Sequence, residues 1–127
     1  MAKKRVLISF DYDNDKGIKE LLVRQAKLPD SPFEIADWSV KEHLNGDWKA
    51  KVRTKIRQVD QVIVLCGEYN PTGVNTEIKI TQEENKPYFL LKGYKDKTCK
   101  KPTSAKSSDS IYKWNWDNLK ALINGNR

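Results

Sequence analysis

The chain has 127 residues and a formal net charge of +7, with 38% hydrophobic and 32% charged residues. This length suits one domain with an ordinary core, which we assign to residues 1–127, and 9% aromatic residues are too many for a disordered chain. The positive charge favours anionic partners such as nucleic acid, phosphates or an acidic protein surface, without identifying one.

The sequence argues against membrane insertion, secretion and a metal site. No apolar run approaches the roughly 18 residues of a membrane span, and the apolar stretch behind the basic start ends at Phe10, where an acidic loop follows. Cys66 and Cys99 form no disulfide pattern, which favours a reducing cytosol. One His and two Cys are too few for a zinc site built from these residue types. We therefore expect a cytoplasmic protein without a metal.

The first half of the chain alternates between strand and helix patterns. Residues 5–10 predict a strand and residues 33–38 a second one. Between them a helix is expected, with Asp13 or Asn14 as its N-cap and Pro29 after its end. Its predicted inner face consists of Ile18, Leu21, Leu22, Gln25 and Leu28.

Residues 49–57 fit two patterns. Their basic side chains fall at every second position, as on a half-buried strand, but Trp48, Val52, Ile56 and Val59 also form a helical stripe. We favour the helix, because Asn45-Gly46-Asp47 is a good start and the stretch is long for a strand.

The second half continues the alternation. Residues 61–66 form a continuous apolar run typical of a central strand, and a helix over 74–84 and a buried strand over 88–91 follow. An exposed lysine-rich loop over 92–106, a short edge strand over 111–114 and a helix over 117–123 complete the chain. This order predicts an α/β flavodoxin-like three-layer sandwich, with a mainly parallel five-stranded sheet in the order 2-1-3-4-5. Ligands of such sheets bind at the carboxyl ends of the strands, near the switch between strands one and three.

The residues at these strand ends exclude several classes of flavodoxin-like protein. The acidic loop 11–15 would repel the phosphate of FMN, and Cys66 stands where a response-regulator receiver needs a phosphate-accepting Asp. Rossmann and P-loop glycine motifs are absent. The alternating Asp residues fail as a calcium loop, because Lys16 and Leu22 stand where the invariant Gly and the bidentate Glu belong.

Three segments resemble TIR-type domains. Val6-Leu7-Ile8-Ser9-Phe10 with its acidic loop resembles the opening of such a domain, and Cys66–Asn70 leading into Val74-Asn75-Thr76-Glu77-Ile78 resembles the third strand and the next helix. Residues 114–118 (Trp-Asn-Trp-Asp-Asn) are similar to the ending of the Thoeris-type TIR-like proteins of prokaryotes. Residues 71–74 lack the family's usual aromatic before the Glu, and the lysine-rich loop is atypical.

The resemblance implies a flavodoxin-like fold and two alternative functions. Enzymatic members cleave or cyclise NAD to make ADP-ribose-type signals, and in Thoeris systems such a signal activates an effector protein during phage infection. NAD would then be a substrate, no cofactor would be needed, and Glu77 would be the catalytic residue of this hydrolase. Other TIR domains are non-catalytic and act by self-association. An alternative role for Glu77 is to sit at a helix terminus without catalysing anything.

We expect Glu77 at the rim of strands one and three, near Ser9 and Phe10, with its carboxylate exposed in a cleft. The predicted substrate contacts are Ser9, Phe10, Asp11, Asp37, Trp38 and Asn70. Four of them have a structural alternative: Phe10 and Trp38 as core residues, Asp11 as a simple loop residue, and Asn70 as a partner of the backbone.

Specific nucleic-acid binding is a third hypothesis, and the sequence argues against it. The alternating basic residues of 49–57 could attract a pyrophosphate or nucleic acid. No base-stacking groups are interleaved with them, so a solvated helix face is the simpler interpretation.

Overall fold

The computed structural model describes residues 3–39, 47–70 and 72–125. In chain order, the elements are β1 (Lys4–Ser9), α1 (Lys16–Ala26), β2 (Phe33–Trp38), α2 (Asp47–Arg57), β3 (Gln61–Cys66), α3 (Thr72–Glu83), β4 (Tyr88–Lys92), β5 (Ile111–Tyr112) and α4 (Trp116–Ile123). In these ranges no helix is long and apolar enough to cross a membrane.

All five strands form one parallel sheet in the order β2-β1-β3-β4-β5. This confirms the predicted fold class, including the position of Cys66 at the carboxyl end of the central strand. The fully buried pattern of β3 explains its continuous apolar sequence, since helices cover both faces of the sheet.

Side chains that alternate along the strands divide the core into two clusters. Ile8 and Ile63 point to the face covered by α1 and α4, where Leu22 and Leu119 pack. On the opposite face, the cluster contains apolar residues from three strands and from the two helices that cover them: Leu7, Val62, Val64, Leu90, Val52, Ile56, Val74 and Ile78. The two helix layers therefore bury separate sets of side chains.

The predicted face and N-cap of α1 are partly wrong. Leu21 and Leu28 are 48% and 42% exposed, and the buried stripe is Ile18, Lys19, Leu22 and Ala26. The N-cap position is Asp15, because the Asp11 carbonyl accepts from the amides of Asn14 and Asp15 and so forms a turn before the helix. The Asp15 side chain makes no capping bond.

The ambiguous stretch 49–57 is helical, as predicted. It belongs to α2, in which Trp48, Val52 and Ile56 are buried. The predicted helix start at Asn45 and Gly46 lies outside the described residues. Lysine-rich residues 92–106 are mostly exposed, but Pro102 is buried and Cys99 packs against the core on the α2 and α3 side.

Candidate functional site

Glu77 lies on the inner face of α3, where its carboxylate meets the ends of two strands. The hydroxyl of Ser9, the last residue of β1, donates to Glu77 Oε1 at 2.7 Å. Ser39, directly after β2, donates its hydroxyl to the same oxygen at 2.6 Å. Hydrogen bonds from hydroxyls to a carboxylate are short and strong, so Glu77 joins α3 to β1 and β2.

Ser39 is held on both its backbone and its side chain. Its amide donates to the Ile8 carbonyl at 2.9 Å, and its hydroxyl accepts from the Phe10 amide at 3.1 Å. A chain of hydrogen bonds therefore runs from the Phe10 N–H through Ser39 to the Glu77 carboxylate, and bonds in such a chain polarise one another. Ser39 was not among the predicted site residues, although a hydroxyl directly after a predicted strand is a visible signal.

The expected exposure of Glu77 is wrong. Its side chain is close to Ser9, as expected, but Glu77 is only 3% exposed. Val74, Ile78 and Thr81 are buried on the same side of α3, at the spacing that places residues on one helical face. Its hydroxyl partners come from β1 and β2 rather than from β1 and β3.

Three of the predicted contacts are buried in the fold: Ser9, which is fully buried, and Phe10 and Asp11, whose contacts are as follows. Phe10 is part of the core, with its ring centroid 6.2 Å from that of Tyr12. Asp11 accepts from the Asp13 amide at 3.2 Å and from Asn14 Nδ2 at 2.8 Å, which shapes the acidic loop. These contacts match the structural alternatives named for both residues.

Trp38 and Asp37 lie at the end of β2. Trp38 is 40% exposed, and the Lys19 ammonium lies 4.7 Å from its ring centroid. Asp37 accepts from the Trp38 amide at 2.9 Å and forms an ion pair of 3.5 Å with Lys55. The Trp38 indole is therefore partly exposed and lies beside Lys19 of α1.

Asn70 contacts the lysine-rich loop and the start of α3. Its Oδ1 accepts from Asn75 Nδ2 at 2.6 Å and from the Thr103 amide at 3.3 Å, and its Nδ2 donates to the Thr103 hydroxyl. These bonds attach the loop to the helix that carries Glu77.

Asp15 is a further buried carboxylate, besides Glu77 and Asp11, and the sequence did not indicate its burial. Its Oδ1 accepts from the Tyr94 hydroxyl at 2.7 Å, and burial raises its pKa although this bond lowers it. A Cβ at Gly67 would lie 2.3 Å from Asp15 Oδ2, so glycine is needed there for this close approach. Among the described residues, no group of three His, Cys, Asp or Glu could hold a metal ion.

Cys66 is not suited to act as a nucleophile. Its side chain is buried at the end of β3, and burial raises the pKa of its thiol to about 12. The thiolate is the reactive form of cysteine, so Cys66 is a packing residue at neutral pH.

A family model described as Thoeris protein ThsB, TIR-like domain, matches residues 7–98. No curated protein matches the chain. The matched range holds more than two thirds of the sequence, including Ser9, Ser39 and Glu77, and it ends within the lysine-rich loop. Residues 114–118, which are similar to the ending of Thoeris-type proteins, lie beyond it. The chain belongs to the family of Thoeris ThsB TIR-like domains.

Proposed function

We propose that this domain cleaves the nicotinamide–ribose bond of NAD, or cyclises NAD, to make an ADP-ribose-type signal in antiphage defence. Glu77 is the proposed catalytic residue, and the product would activate an effector protein. The observation that carries the proposal is the Glu77 carboxylate fixed by Ser9 and Ser39 at the carboxyl ends of two strands. Family membership supports the defence role.

The chemistry requires one well-placed negative charge. When the bond breaks, its electron pair leaves with nicotinamide, which becomes neutral, and the ribose takes on oxocarbenium character. Water then bonds to the ribose carbon and releases a proton to the solvent, or a nucleophilic atom of the same molecule bonds to that carbon and closes a ring. A carboxylate already oriented by two hydroxyls stabilises this cation without reorganising during the reaction.

Substrate contacts are proposed at the ends of β1 and β2 and next to α3. Trp38 is an exposed surface for the adenine ring, and Asn70 is exposed beside the start of α3. Since Glu77 and Phe10 are buried, the groups that cover them have to move before a substrate can touch either side chain. The full proposed set is Ser9, Phe10, Asp11, Asp37, Trp38 and Asn70.

A non-catalytic interaction module is the second candidate function. It is favoured by the burial of Glu77 and by its bonds to β1 and β2, which suit a residue that stabilises the fold. Such a module would act by assembling with itself or with an effector protein.

Replacing Glu77 by glutamine separates the two functions. Glu77→Gln removes the charge but keeps an oxygen that accepts from both serines, so the fold should persist. If the charge stabilises the ribose cation, NAD turnover should fall by roughly 10²–10³, as when one electrostatic stabiliser is removed. NAD loss, product formation and thermal unfolding would be measured after phage exposure or with a known activator.

Glu83→Gln is the matched control, because it makes the same chemical change on an exposed side chain of α3. It should leave turnover unchanged. Equal turnover by folded Glu77→Gln and the wild type would remove Glu77 from the mechanism. If neither forms product and the variant still supports signalling, the interaction module is the better explanation.

A further inference from the structure

A groove with a volume of about 900 Å³ lies beside α1, away from Glu77. Leu21 and Gln25 of α1 form one wall, and residues 92–95, at the end of β4 and after it, form part of the other. Residues of α1 pack in the core on one face of the sheet, whereas α3 packs in the cluster on the opposite face. The groove and Glu77 therefore lie against opposite faces of the sheet.

Three lysines, Lys92, Lys95 and Lys113, line this groove. Within the ranges that the structure describes, none of them has a carboxylate within ion-pair distance, whereas the nearby Lys97 lies 3.1 Å from Glu68. Three ammonium groups around one concave surface attract an anion.

The groove also has an apolar wall that is held in place. Leu21, on this wall, is 48% exposed, and the half-buried Trp114 lines the same space. The Trp114 indole nitrogen donates to Gln25 Oε1 at 2.8 Å, which ties the segment after β5 to α1. An apolar concave surface with a few convergent polar groups is typical of small-molecule sites.

We propose that this groove binds a phosphorylated small molecule that carries a planar ring. The ring would pack between Leu21 and Trp114, and the phosphates would lie near the three lysines. The volume of about 900 Å³ lies within the roughly 300–1,000 Å³ of small-molecule pockets. This size favours a small ligand over an acidic protein surface.

Calorimetric titration of the whole chain with ADP, adenosine and pyrophosphate tests the proposal. ADP should bind more tightly than either fragment, because only ADP carries both ring and phosphates. The triple variant Lys92→Gln/Lys95→Gln/Lys113→Gln should weaken ADP binding about tenfold or more, by the loss of three charge contacts. Leu21→Glu, a change at an exposed position of the apolar wall, should also weaken it.

The matched control is Lys49→Gln/Lys51→Gln/Lys79→Gln, which removes the same charge from exposed positions of α2 and α3. It should change ADP affinity less than about threefold, because these lysines lie outside the groove. Equal weakening by both triple variants would mean that net charge alone attracts ADP and would overturn the proposal.

Three other results would overturn the groove assignment. One is the absence of ADP binding at millimolar concentration, and another is pyrophosphate binding as tight as that of ADP. The third is a glutamate octapeptide that binds more tightly than ADP, which would favour an acidic protein partner. Glu77→Gln should leave ADP affinity unchanged, and a loss equal to that of the groove variant would place ADP at the catalytic site instead.

Discussion

The hydrogen bonds of Glu77 and Ser39 orient the proposed catalytic carboxylate and also stabilise the fold. The Ser39 hydroxyl donates to Glu77 and at the same time accepts from the buried amide of Phe10. Ser9 donates to the same carboxylate oxygen. The residues that would orient a catalytic carboxylate therefore also hold the ends of β1 and β2 together, so variants at this site need a stability measurement beside any activity assay.

Removing the Ser39 hydroxyl should be more costly than removing that of Ser9. Ser39→Ala deprives the buried Phe10 N–H of its acceptor as well as Glu77 of a donor. An unpaired buried donor costs about 1–3 kcal/mol, so the free energy of unfolding should fall by about that amount. Urea unfolding at pH 7 measures it, with Ser9→Ala as the control. An equal or smaller loss for Ser39→Ala would contradict the arrangement.

The burial of Glu77 could be predicted from the sequence, and the position of Ser39 could not. Glu77 lies three residues after Val74 and one before Ile78, which places it on the apolar side of the helix. The expected rim position followed the ligand rule for parallel sheets instead of this spacing. The contact of Ser39 with Glu77 depends on the register of β1 against β2, which shifts between Val6 and Leu7, and no local pattern specifies that register.

Ion pairs join basic residues of α2 to two glutamates, the last residue of α3 and the one directly after it. The sequence alone shows only a row of basic residues. Arg53 Nη1 and Arg57 Nε lie 2.7 and 2.6 Å from the two oxygens of Glu84, and Arg53 Nη2 lies 2.7 Å from Glu83. Bonds from Arg57 and then Arg53 lower the pKa of Glu84 to about 2. The solvated basic face expected for α2 is thus partly neutralised by α3.

This lowered pKa predicts a pH-dependent contribution to stability. The carboxylate favours the folded state above its unfolded pKa of about 4.5, and the gain is lost as pH falls through the folded pKa of about 2. Glu84→Gln should therefore lower the unfolding temperature at pH 7, and its difference from the wild type should shrink from about pH 5 downward. Thermal unfolding monitored by circular dichroism at several pH values measures this.

Glu83→Gln is the control for the ion-pair prediction. Glu83 is more exposed than Glu84, and the one ion pair described for it is with Arg53. Glu83→Gln should therefore lower the unfolding temperature less than Glu84→Gln at every pH. If the unfolding temperatures of Glu84→Gln and the wild type differ by the same amount from pH 7 to pH 2, the lowered pKa of Glu84 is contradicted. High salt should also reduce the difference, since the arginines are partly exposed.

The predicted strand order is confirmed, although the fifth strand covers residues 111–112 instead of 111–114. The clearest local signal is that of β3, which is buried along its whole length, whereas charged residues interrupt β2. The two core clusters follow from the alternation of side chains. By contrast, no periodic pattern in the sequence indicates that Pro102 and Cys99 of the lysine-rich loop pack inward. Their packing depends on contacts between distant segments, such as the hydrogen bond from the Lys100 amide to the Gly67 carbonyl.

The net charge of +7 predicts weak binding of polyanions that depends on salt. The exposed lysines of α2 and of residues 92–106 supply the charge, while Arg53, Arg57 and Lys97 are engaged with carboxylates. If about four phosphates are neutralised, affinity for duplex DNA should fall roughly a hundredfold between 50 and 200 mM salt. Fluorescence anisotropy with two duplexes of unrelated sequence measures both affinity and preference.

The two duplexes should bind equally, because no exposed stacking group for bases is interleaved with the basic residues of α2. Lys49→Gln/Lys51→Gln/Lys79→Gln should weaken binding to both duplexes alike and lower the salt dependence, since each lost phosphate contact reduces the slope. A strong preference for one sequence that persists at 500 mM salt would contradict this and favour specific DNA recognition. Weak binding with equal salt sensitivity for both duplexes would instead identify the basic surface as a general attractor of anions, which concentrates phosphate-bearing ligands around the domain.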